Sequence, residues 1–193
     1  MAKALVDAYQ PTHEEQKVLE TFSARVARKK EAPRLKVSGN VVSVNHPDQP
    51  TGGTMVLHSL GVTNADFGGA ILANLTQIAS KGSEISENEM NATLATISEI
   101  GPRDAVEALL ATQMAAIHSA TIKMARRLAH VETIQQQDSA ERALNKLART
   151  FAAQVDTLKR YRSKGEQRVY VERVNVGEGG QAIVGNVETG GRG

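Results

Sequence analysis

Residues 102–163, PRDAVEALLATQMAAIHSATIKMARRLAHVETIQQQDSAERALNKLARTFAAQVDTLKRYRS, decide the fold. Val106, Leu109, Leu110, Met114, Ile117, Thr121, Met124 and Leu128 recur every three or four residues, and so do Leu144, Leu147, Phe151, Val155, Leu158 and Tyr161. Such spacing puts each set on one stripe of a helix. The two runs are joined by His130 to Thr133, so they form a long antiparallel helical hairpin or coiled-coil seam. At 1.5 Å per residue each arm is roughly 40 Å long. A two-helix hairpin of that length cannot cover both apolar faces alone and needs a third layer. The expected layer is either residues 54–100 or other copies of the chain.

Upstream, residues 54–100 supply candidate helices. Thr63-Asn64-Ala65-Asp66 opens one, with Phe67, Ile71, Leu75 and Ile78 on one face and Gly82 as its end. Ser86-Glu87-Asn88-Glu89 has the spacing of a capping box, in which a hydroxyl and a carboxylate satisfy each other's backbone donors. Met90, Leu94 and Ile97 follow at helical spacing. Gly101 and Pro102 then close one helix and open the next. Leu57 to Thr63, with Gly61 at the turn and Phe67 beyond, has the outline of a helix-turn-helix. Gly68-Gly69 and the lack of basic residues weaken that reading in favour of an ordinary helical turn.

The first 50 residues read as a loosely attached arm. Thr12-His13-Glu14-Glu15 is another capping box, and a helix runs from about Thr12 to Lys30 with Val18, Leu19, Phe22 and Val26 in a narrow stripe. Leu35-Lys36-Val37 and Val41-Val42-Ser43-Val44 flank Ser38-Gly39-Asn40 as a small β hairpin. Pro47 to Gly53 has two Pro and two Gly and reads as a loop and internal boundary. After Gly165 the period becomes two. Val169, Val171, Val174 and Val176 face Ala182-Ile183-Val184 and Val187 across Gly177-Glu178-Gly179-Gly180, a C-terminal β hairpin. The division is therefore 1–50 arm, 51–165 helical core and 166–193 β tail, in a mainly α chain.

Composition narrows the chemistry. The 193 residues include no Cys and no Trp, and aromatics are 3 %. Disulfides, thiolate nucleophiles and Cys-ligated zinc are excluded. Gly177–Gly180 lacks the Lys-Ser/Thr and following helix of a phosphate loop. His13, His46, His58, His118 and His130 fall at no metal-binding spacing and read as structural. Glu84, Glu87, Glu89, Glu99, Asp104 and Glu107 read as helix surface and dipole compensation. These readings imply no enzyme, no metal and no cofactor. No stretch has the length of a membrane span or a secretory signal, which implies a cytoplasmic protein.

Basic residues cluster twice. Arg25, Arg28, Lys29, Lys30, Arg34 and Lys36 form one group, and Lys159, Arg160, Arg162, Lys164 and Arg168 the other. Clusters of this kind neutralise phosphates and release counterions, so double-stranded DNA bound without sequence preference is the candidate partner. The second expected partner is the chain itself. Leu110, Met114, Ile117, Met124, Leu147, Phe151 and Leu158 are candidate interface residues on the seams, and Val169, Val171 and Ile183 on the tail. A protein–protein adaptor without nucleic acid is the alternative, and an enzyme whose site is scattered in sequence is a more distant one.

The segments Ala129 to Ala143, Thr150 to Gln154, Leu158 to Arg162 and Gly180 to Val187 resemble a family of uncharacterised proteins common in rhizobia and related alphaproteobacteria. The resemblance runs from about Pro33 to Val187 and implies no particular chemistry. In architecture, a long helical hairpin followed by a β tail is similar to phage small terminase subunits. That likeness implies a ring-forming protein that binds DNA during packaging, as an analogy of fold only.

Overall fold

The computed structural model describes residues 9–29 and 32–163. Lys30, Lys164, Arg168 and the whole expected β tail, with Val169, Val171 and Ile183, lie outside the described residues.

Six helices and two small strand pairs make up the described chain: α1 (His13–Val26), β1 (Leu35–Ser38), β2 (Val41–Val44), α2 (Gln49–Ser59), α3 (Ala65–Ala79), β3 (Ser80–Lys81), β4 (Glu84–Ile85), α4 (Glu87–Ile100), α5 (Ala105–Leu128) and α6 (Ile134–Arg162). The long hairpin is α5 and α6, packed along each other, with α3 and α4 against the other face of α5. The third layer therefore comes from within the chain. Ala108, Ala111 and Ala115 are the contact residues of α5, and their small side chains let α3 and α4 approach closely. Leu35, Val56, Leu60, Ile71, Leu75, Met90, Leu94 and Ile97 complete the core.

Capping chemistry sets the helix starts. The Thr12–Glu15 box is complete, with Glu15 N–H donating to Thr12 Oγ1 and Thr12 N–H to the Glu15 carboxylate. At Ser86 half of the box forms: Glu89 N–H donates to Ser86 Oγ. Asn64, Asp104 and Thr133 cap α3, α5 and α6 in the same way.

Three boundaries differ from the sequence reading. Helix α1 ends at Val26, short of Lys30. Pro47 to Gly53 is not a loop, since α2 begins at Gln49. Asp48 accepts from Thr51 N–H, and Pro50 sits in the first turn, where its missing N–H costs nothing. Gly52 is buried against β2, and a Cβ there would lie 2.6 Å from His46 Cβ and 2.9 Å from Val44 Cγ1. What reads as flexibility in the sequence is close approach in the fold. The β1–β2 hairpin, with Leu35 opposite Val44, is also no loose appendage. Leu35 is fully buried, its N–H donates to Asn91 Oδ1 at 2.7 Å, and Asn91 Nδ2 donates back to Leu35 O at 2.8 Å. Val37 N–H donates to Glu87 at 2.9 Å. Side chains of α4 thus satisfy an open strand edge, the support a two-stranded hairpin needs. The β3–β4 pair around Gly82 and Ser83 has only two residues per strand, too short for a period-two pattern to mark it in the sequence.

Candidate nucleic-acid interface

The two basic clusters are more than a hundred residues apart in sequence, and one described member of each, Lys29 and Arg162, reaches the C-terminal end of α4. From one side, Lys29 pairs with Glu99. From the other, Arg162 donates from Nη2 to the carbonyls of Ile100 and Gly101, both at 3.0 Å. Those carbonyls have no partner within α4's own ladder, and a cation is favoured there by the helix dipole. Lys29 and Arg34 line a cleft of about 570 Å³ between α1 and α4, with Ser98 and Glu99 on its floor. Arg103, Arg160 and Arg162 line a second hollow of about 610 Å³, with Asp104, Glu107 and Tyr161.

The members of the two clusters are not equivalent. Arg25, Arg28, Arg34, Lys36, Lys159 and Arg160 are exposed. Lys29 is exposed but ion-paired. Arg162, a nucleic-acid-binding candidate, is engaged within the chain. Its Nε donates to Glu107 Oε1 at 3.2 Å and its Nη2 to Oε2 at 2.9 Å. Glu107 is 2 % exposed and also accepts from Arg103 N–H at 3.0 Å. A guanidinium held by a buried carboxylate and two carbonyls has little left to offer a phosphate.

Beside this pair, Asp104 caps α5 by accepting from Glu107 N–H at 2.9 Å, and it accepts from the Tyr161 hydroxyl at 3.1 Å. The backbone N–H of Glu107 is the main cause holding the Asp104 carboxyl below its usual range, and Tyr161 adds to it. The same bond raises the Tyr161 hydroxyl. A carboxyl depressed in the folded state contributes stability above its ordinary value of about 4, lost as pH falls through the folded value. Wild type and Asp104→Asn should therefore differ in urea unfolding at pH 7 and converge progressively as the pH falls below about 4. A difference that does not shrink at all below about pH 4 would show that the charge plays no part.

A third basic feature escaped the linear reading. Arg142, Lys146, Arg149 and Arg160 recur at 4, 7 and 18 positions from the first, so at about 100° per residue they share one face of α6. All four are exposed, and they lie opposite the seam residues Ala140, Leu147 and Leu158. Applying the helical period to Lys and Arg, and not only to apolar residues, finds this stripe. It extends from the basic end along α6 for about 27 Å.

The proposed interface residues mostly serve the chain itself. Met114 and Leu158, two of the candidate interface residues, are buried within the chain. Leu110, Ile117, Met124, Leu147 and Phe151 are half-buried, and Phe151 packs against His118 with ring centroids 6.1 Å apart. A large part of the seam is spent joining α5 to α6. The helix-turn-helix outline corresponds to α2, the Gly61 turn and α3, but α3 has no Lys or Arg over its 15 residues. Among the described residues no group of three or more His, Asp or Glu is arranged to hold a metal ion. No described helix is long and apolar enough to cross a membrane. Comparison with protein-family models, curated proteins and solved structures finds no match.

Proposed function

We propose that the protein is a non-enzymatic, self-associating scaffold that holds duplex DNA by its phosphates, in the manner of a packaging factor such as a small terminase subunit. One observation carries this reading: the exposed basic stripe of Arg142, Lys146, Arg149 and Arg160 along one face of α6, which ends beside Arg162 at the end of α4. Arg34, Arg149, Lys159 and Arg160 offer exposed charge over a length that spans several phosphates, since duplex DNA carries a charge every ~1.7 Å of axis. Among the described residues Phe22 and Tyr161 are the aromatic side chains lining the two hollows, too few to stack a run of bases, so contact is to the backbone and independent of sequence.

Fluorescence anisotropy with an arbitrary duplex tests the proposal. Four neutralised phosphates imply a loss of affinity of about 150-fold between about 50 and 200 mM salt. Reversing Arg34, Arg149, Lys159 and Arg160 to Glu should weaken binding at least about 100-fold with little change in melting temperature. Arg162 is left out of that set because its reversal would face Glu107. No salt-dependent binding by the wild type would overturn the DNA reading. The adaptor alternative, supported by the exposed apolar face of α1, would then stand.

A further inference from the structure

Helix α1 has no buried residue, yet its complete capping box and regular stripe are those of a helix built to pack. Val18 is 67 % exposed, Phe22 63 %, Leu19 53 % and Val26 41 %. Only the C-terminal part of this stripe, Phe22 and Val26, borders the body, across the cleft to α4. A 14-residue helix without a packed face is marginal in water. The stripe wants a cover, and the charges on its flank say which.

Within α1, residues 13–20 hold Glu14, Glu15 and Glu20 against Lys17, a net −2 with His13 neutral, whereas residues 21–26 hold Arg25, a net +1, with Arg28 just past the helix end and Lys29 already paired with Glu99. A second α1 laid antiparallel sets each acidic half on a basic half, and a parallel one sets like on like. Glu14 and Arg25 are eleven residues apart, about three turns, so they stand on the same flank of the stripe. A two-fold axis at the level of Leu19 to Thr21 brings Glu14 against Arg25 of the second copy at both ends. The same register sets Val18 beside Phe22 of the second copy. The pattern is self-complementary, as an isologous interface must be.

We propose that α1 pairs antiparallel with α1 of a second copy of this chain, and that this helix, not the α5–α6 seam, is the self-association surface. The proposal names the surface for the self-association proposed above and rests on that part of the reading, not on DNA. Four side chains of one 14-residue helix make a patch smaller than the ~800 Å² per partner of a standard interface, so the pairing is weak and concentration-dependent.

Sedimentation at about 10 to 100 µM tests it, a range set by that size. Glu14→Arg alone and Arg25→Glu alone should each weaken the dimer about 10-fold, because each puts like charges together twice. An equimolar mixture of the two, or the double variant E14R/R25E, should restore it. Both residues are exposed, so a changed melting temperature is not expected. Wild-type dimers that survive both single variants would overturn the α1 surface and leave self-association standing. A wild type that is monomeric throughout would overturn both. Failure of the double variant to restore pairing would overturn the register. The natural chain has no Cys, so single cysteines report orientation cleanly. Leu19→Cys, on the stripe and at the level of the two-fold axis, should cross-link to itself and His13→Cys should not, and the opposite result would overturn the antiparallel arrangement.

Discussion

Arg162→Ala is expected to lower the unfolding free energy by about 3–5 kcal/mol. Glu107 is nearly inaccessible, and Arg162 is its only side-chain cation among the described residues. Removing the guanidinium leaves a carboxylate in the interior with one backbone donor, Arg103 N–H, for company. It also strips the Ile100 and Gly101 carbonyls of their donor. Desolvation of an unpaired charge outweighs the single hydrogen bond that remains. Since whole domains are stable by only about 5–15 kcal/mol, the loss is a large share of the total. Glu107→Ala should cost somewhat less, about 3 kcal/mol, because Arg162 is partly exposed and can turn toward water. Urea titration of both single variants and the double variant checks this. The double variant should be clearly more stable than the summed losses imply, with a coupling of about 1–3 kcal/mol. Additive losses would mean that the two side chains act independently. Because α6 meets the end of α4 through this contact, hydrogen exchange should quicken first in the last turns of α6.

Gly61→Ala is expected to cost roughly 3 kcal/mol or more, from left-handed strain plus a steric collision. Gly61 has φ +69°, a backbone region open to glycine, and it lies in the turn between α2 and α3. A Cβ at this position would stand 2.2 Å from the carbonyl oxygen of Pro102 and 2.6 Å from its carbon. Both atoms belong to the backbone just before α5, so no rotamer change relieves the contact. Either the α2–α3 turn or the start of α5 must move, and the second shift would disturb Arg103, Asp104 and Glu107. Thermal unfolding should show the loss directly. Gly53→Ala, with nothing within 4 Å of its Cβ position and a place inside α2, is the control and should be neutral or slightly stabilising. Equal effects at the two positions would contradict the close approach.

The elements that sequence reading recovers well are those whose causes are local. The α5–α6 hairpin follows from two apolar stripes and a short connection. The Thr12 cap needs only residues three apart, and the β1–β2 pairing only a Gly-Asn turn between β-branched residues. Misread elements have causes outside their own hydrogen-bonding span. The run of Pro and Gly at 47–53 looks like a linker because glycine in a helix is usually a cost. Here Gly52 is required by Val44, at the end of the preceding strand, and by His46, just after it, which the chain folds back against α2.

The candidate site divides in the same way. Charge clusters are visible along the chain, and which of their members stay free is not. Arg160 and Arg162 differ by two positions and look alike in sequence. A difference of about 200° around α6 leaves one in solvent and turns the other onto Glu107. The seam shows the same limit, because periodicity identifies an apolar face without naming what covers it. Met114 and Leu158 look as available to a second copy as Val18 and Phe22. Hydrophobic burial is non-directional, and any apolar partner satisfies it. Helices, caps and turns are written in neighbouring residues because their hydrogen bonds close within about four positions. Which face meets which, and which charge is spent inside, is settled only when remote segments compete for the same surface.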